Sequence, residues 1–138
     1  MFITRESDYA IRIIRALSGK KKKTAQDICK EEQIPRQYGY KILKKLENAR
    51  LVSCYRGAAG GYVLVKSLSS ITILDVLDAI NDEHLIVECL AKDFICHSCS
   101  KVCHMHTEFS RIQRILVTAL KEKSLAEIFF PRRSTRKK

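Results

Sequence analysis

The chain has 138 residues, 26 Lys/Arg against 15 Asp/Glu for a formal net charge of +11, and 46% apolar residues. That length suits one domain with a core of its own, or a small domain plus an oligomerisation element, and argues against two full domains. No run of about eighteen apolar residues could span a membrane, and the opening MFITRESDYA is not an apolar signal segment, so a cytoplasmic chain with reduced thiols and no membrane partner is expected.

The charge is unevenly spread. Residues 1–66 carry 15 Lys/Arg against 6 Asp/Glu, residues 67–131 carry 6 against 9, and the last seven, RRSTRKK, hold five basic residues. A basic half can meet nucleic acid, an anionic membrane or an acidic partner, and charge alone does not choose among them. The tail, 132–138, reads as a solvated, disordered basic end.

Arg5 to Ser18 places Tyr9, Ala10, Ile13, Ile14 and Leu17 on one helical stripe, and Gly19 stands where a C-terminal glycine would. A basic loop, Lys20 to Lys23, leads to Thr24, an N-cap with Asp27 three residues on, so Thr24 to Glu32 is a short helix. Pro35 suits the start of the next helix, whose core face is Tyr38, Ile42, Leu46 and Ala49, leaving Arg36, Gln37, Tyr40, Lys41 and Lys44 outward. Around the turn at Gln33-Ile34 the two form a helix-turn-helix candidate. LVSCYR and GYVLVK, joined through Gly57-Ala58-Ala59-Gly60-Gly61, read as a hairpin. The order describes a winged helix, with the second helix in the major groove and the wing on the flanking backbone or minor groove.

Thr72 and Asp75 bracket the start of a helix, Ile73 to Ile80, with Ile73, Leu74, Leu77 and Ile80 buried. Then comes CLAKDFICHSCSKVCHMH, Cys89 to His106, where four of six cysteines and three of four histidines fall within eighteen residues. Thr107 to Lys121 repeats Phe109, Ile112, Leu116 and Ala119 as a seam for another helix, expected to be its own copy. A last short helix, Leu125 to Phe130, ends at Pro131. Cys29 and Cys54 fall on apolar faces as small hydrophobes. His84, His97 and His104 read as surface or loop residues.

Clustered thiols in a reducing compartment suit an iron-sulfur cluster or zinc. A zinc site would use Cys96, Cys99, Cys103 and either Cys89 or His106 as a fixed tetrahedral staple. A third reading, Cys96-His-Ser-Cys99 as the dithiol of a small oxidoreductase, is weakened because the pair does not open a helix after a strand. No catalysis is required, and an enzyme is not expected.

The order of parts resembles the IscR/NsrR family of iron-sulfur transcription regulators. SDYAIRIIRAL is similar to the family's opening helix, IPRQYGYKILKKLENARLVSCYRGAAGGYVL to its recognition helix and wing, and the cysteine array precedes a long dimer helix. The resemblance implies a mainly α fold with a small β wing. Residues 1–66 would form the winged helix-turn-helix DNA-binding region, and 67–131 the cluster loop and C-terminal dimerisation helices. It further implies a homodimer on a palindromic double-stranded operator, a repressor whose cluster senses iron-sulfur status, nitric oxide or redox stress. Cys89, Cys96 and Cys103 would hold that cluster, [4Fe-4S] in preference to [2Fe-2S]. The fourth ligand would be Asp8 of the partner subunit, His106 or Cys99, with Asp8 favoured. Gln37 and Tyr40, flanked by Arg36 and Lys41, take the base-contacting positions, with Arg56 and Gly57 at the wing. Gln can read adenine and Arg can enter a narrow minor groove. Lys44, with Lys45 and Lys20 to Lys23, would touch phosphates at most.

Overall fold

The computed structural model describes residues 3–80, 84–98 and 101–132. Among them the chain runs through six α-helices and one two-stranded antiparallel sheet. Helix α1, Arg5–Ala16, starts at Thr4, whose hydroxyl accepts the Ser7 amide, and buries Ala10, Ile13 and Ile14 completely. It ends at Leu17, a right-handed C-cap whose amide donates to the Ile13 carbonyl at 3.2 Å; the left-handed residue of the turn that follows is Lys20 (φ 58°) and not the expected Gly19. Helix α2, Ala25–Glu31, is capped by Thr24, whose oxygen accepts the Asp27 amide at 3.1 Å. Gln33 (φ 54°) makes the tight turn into α3, Arg36–Asn48.

The buried face of α3 is Gly39, Ile42, Leu43 and Leu46. Tyr38, expected in the core, is 45% exposed, its ring 6.2 Å from that of Tyr9, and Ala49 is exposed as well. Gly39 takes the inner position because α2 approaches there: a Cβ on Gly39 would run into Cys29 Sγ, so only a hydrogen lets the two helices meet. Arg15 of α1 grips Glu32 with two nitrogens, tying the end of α2 back to α1.

Strand β1, Val52–Tyr55, pairs with β2, Gly61–Leu64, in the register Val52 to Leu64 through Tyr55 to Gly61. Lys23 adds a backbone bridge to the other edge of β2, with Tyr62 N–H donating to the Lys23 carbonyl at 2.7 Å. Gly61 (φ 152°) fits there because a Cβ would stand 2.8 Å from that carbonyl. Helix α4, Ile73–Ile80, occupies its expected span, opened by Thr72 and Asp75 bonding to each other's amides. Its Val76 and Ile80 join the core of α1 and α3.

Helix α5, His104–Glu122, begins three residues before the expected Thr107 and has no buried residue; Phe109, Ile112 and Leu116 are half-buried, while Ala119 is exposed. Helix α6, Leu125–Phe129, returns the chain to the winged helix. Leu125 is fully buried in the main core and its amide donates to the Ile71 carbonyl at 2.7 Å. No helix of the described residues is long and apolar enough to cross a membrane.

Candidate functional site

Two surfaces bear chemistry. The first is the outer face of α3 with the tip of the wing. Arg36, Gln37, Tyr40, Lys41 and Lys44 are all exposed on α3, in line with the spacing of their positions along the helix. Lys41 stays open although Glu6 is 3.8 Å away, and Lys44 pairs with Glu47 at 3.4 Å. Arg56 and Gly57 (φ 102°) are exposed where β1 turns over, and the turn closes by the Gly60 amide donating to the Gly57 carbonyl at 2.9 Å.

The basic loop is more than a solvated face. Lys22 lies over the Tyr55 ring, 4.7 Å from its centroid, and donates to the Ala59 carbonyl at 3.0 Å, bracing the wing from behind. Sequence spacing could not show this, because the contact crosses 37 residues. Lys45 also differs from its expected solvated role. It points inward, donating to Glu6 Oε1 at 2.9 Å and to the Ile80 carbonyl at 3.2 Å. Under the wing, burial first and then the Cys54 thiol push the Tyr62 hydroxyl up to about 12.

The second surface is a cavity of about 430 Å³ whose wall includes Cys89, Cys96, Cys103 and His106, with Phe94, Val102, Met105 and Phe109 as its apolar part. Each thiol comes from a different local structure. Cys89 sits in a single 3-10 turn, Glu88–Leu90; Cys96 is on the exposed loop that follows; Cys103 is the N-cap of α5. The His106 amide donates to Cys103 Sγ at 3.4 Å, which places that sulfur at the helix start. Among the described residues, all of these cysteines are free thiols, and no three His, Cys, Asp or Glu side chains are gathered closely enough to hold a metal ion.

The other candidates are placed differently. Asp8 lies on α1, away from the cavity wall of its own chain, paired with Arg12 at 2.8 Å. Cys99 and the tail beyond Arg132 lie outside the described residues. Cys29 is buried, as its apolar position implied, and burial pushes its thiol up while the Arg36 charge pulls the other way. His84 lies in a loop, with its side chain 9% exposed and its Nε2 2.8 Å from Asp78 of α4.

The fold is found in solved regulators. CymR, the global cysteine regulator of B. subtilis, superposes with a TM-score of 0.75 at 22% identity, over 91% of this chain and 94% of that one. The IscR of T. potens does so with a TM-score of 0.72 at 17% identity, over 92% and 85%. In sequence, protein aau3 of Rhizobium meliloti is 32% identical over 91 residues, 64% of this chain and 59% of its own length. A candidate HTH-type transcriptional regulator of Azotobacter vinelandii, ORF2, is 30% identical over 102 residues, 74% of this chain and 61% of its own. The match therefore spans about three fifths of these relatives. The Rrf2 profile, described as an iron-dependent transcriptional regulator, matches residues 3–130. On that match over nearly the whole sequence, this chain belongs to the Rrf2 family, a family of winged-helix transcriptional regulators and not of enzymes.

Proposed function

We propose that the protein is a cytoplasmic homodimer that represses transcription from a palindromic operator, with an affinity set by an iron-sulfur cluster in the cysteine cavity. Residues 1–66 read DNA, 67–131 carry the cavity and the dimer helix, and the basic end from 132 to 138 adds charge. Gln37 and Tyr40 face base edges, Arg36, Lys41 and Lys44 meet the backbone, and Arg56 beside Gly57 reaches the flanking groove.

The observation that carries the reading is the shared wall of Cys89, Cys96 and Cys103 in a chain that also exposes the outer face of α3. Thiols spread round a cavity suit a group with several metal centres, each taking its own thiolate. Phe94, Val102 and Phe109 make part of the wall apolar, and the amide hydrogen bond to Cys103 is the kind of contact that tunes such a group. Bound there, a cluster would supply iron that responds to oxygen and nitric oxide. The three cysteines hold it, and the fourth ligand is Asp8 of the partner subunit, with His106 or Cys99 as rivals. A [4Fe-4S] form is favoured over [2Fe-2S]. The half-buried seam of Phe109, Ile112 and Leu116 on α5 is the face for the second copy.

The test is an absorption spectrum with iron and sulfide content on protein purified without oxygen, repeated after air. A broad brown absorption that disappears in C89A, C96A and C103A supports the reading. A colourless protein with one zinc per chain, or cysteine variants that keep the colour, refutes it.

A further inference from the structure

Two polar side chains fasten the two ends of the stretch that joins the winged helix to the cysteine cavity. At one end, Lys45 of α3 bonds at once to Glu6 of α1, at 2.9 Å, and to the carbonyl of Ile80, the last residue of α4, at 3.2 Å. At the other end, the Gln113 carboxamide of α5 works in both directions. Its Oε1 accepts the Ile86 amide at 3.0 Å, and its Nε2 donates to the His84 carbonyl at 2.6 Å. His84 in turn reaches Asp78 of α4.

Neither arrangement is what DNA reading or sulfur ligation requires. A lysine for phosphate contact would stand in solvent like Lys44, whose side chain is 70% exposed; that of Lys45 is 32% exposed and holds two protein acceptors. A glutamine on a helix seam needs no partner beyond water, whereas Gln113 satisfies one backbone donor and one backbone acceptor of a segment 27 to 29 residues away. Ile86 is three positions before Cys89. A shift of the cavity wall therefore pulls on the Gln113 clamp, and movement of the α4 end pulls on the helix that presents Gln37 and Tyr40.

We propose that Lys45 and Gln113 are positioning residues that carry the state of the cysteine cavity to the recognition helix, Gln113 holding the 84–86 segment to α5 and Lys45 holding the end of α4 to α3. The inference rests on the reading of the cavity as the sensor. Coupling is read directly, as a ratio of affinities.

The probe is the tightest duplex that the full chain selects from a randomised DNA library. Its Kd is measured for protein purified without oxygen and again after air, and the ratio of the two is the readout. K45M keeps the aliphatic stem and drops the ammonium; Q113L keeps the approximate shape and drops both hydrogen bonds; K45R keeps a charged donor. The wild-type ratio is expected to be about five-fold or more, falling below about two-fold in K45M and Q113L and retained in K45R, with visible absorption and thiol count at wild-type values throughout. A wild-type ratio in folded K45M and Q113L overturns the proposal. So does a loss of absorption alongside the ratio, because Gln113 would then only hold the cavity together. Should Q113L fail to fold, Q113E, which opposes a carboxylate to the His84 carbonyl, takes its place with the same outcomes. A wild-type ratio of one overturns the sensor reading itself and this inference with it.

Discussion

Gly39→Ala isolates the contact that seats the recognition helix. The added methyl would overlap Cys29 Sγ, whose residue is 4% exposed and cannot swing into solvent, with Ile34 as the next neighbour at 3.9 Å. Overpacking of this kind costs about 1–3 kcal/mol, and the severity of the overlap puts it near the top of that range. Replacing a mid-helix glycine by alanine returns about 1 kcal/mol through helix propensity. The net expectation is a loss of roughly 2 kcal/mol, read by urea denaturation as a lower midpoint at unchanged slope. Cys29→Ala on top of it removes the sulfur that the methyl meets, so the double variant should recover to within about 1 kcal/mol of wild type. If G39A is as stable as wild type, or if the two changes simply add, the helices can separate without cost and the close approach is not what fixes α3.

Three further outcomes follow from the same structure. Arg56→Ala should weaken binding to the selected duplex and reduce the salt slope of log Kd by about one, with the visible absorption unchanged. Gly61→Ala sets a side chain against the Lys23 carbonyl at a strained φ, so it should lower stability by about 1–3 kcal/mol and weaken DNA binding together, measured by thermal melting and gel shift. The Glu127 carboxyl is held below the ordinary glutamate value, first by the Ser124 amide and then by its hydroxyl. A depressed carboxylate stabilises above its unfolded pKa, about 4.3, and that contribution is lost as pH falls through the folded value. Amide protection factors at residues 127–130, which correct for the intrinsic pH dependence of exchange, should therefore fall as pH drops below the ordinary glutamate range in wild type, whereas those of E127Q should stay level across it.

The helices with polar caps were legible to the residue or nearly so. Thr24, Thr72 with Asp75, and the period of Ile73 to Ile80 carry their own start signals. Helix α5 was placed late because its cap is a thiol, Cys103, which carries no ordinary N-cap signature. Tyr38 was misread because an apolar period cannot tell a tyrosine from the glycine beside it. The inner position goes to whichever lets α2 come close, and that depends on Cys29, ten residues earlier. The cysteines read as a soft-ligand site from their clustering, and three of them line one cavity in the structure. Lys22, Lys45, His84 and Gln113 gave no signal, since polar side chains that bond to backbone across the fold leave no periodic trace.

The return of α6 to the first helices bears on how the chain is made. Leu125 fills a place in the same core as Ala10 and Ile13, and its amide closes on Ile71. During synthesis α1 to α3 emerge first, yet α6, the plug that completes their core, follows more than seventy-five residues behind the end of α3. A nascent chain stalled before that point would display the recognition helix on an unfinished body. Only a chain made through α6 has that core closed.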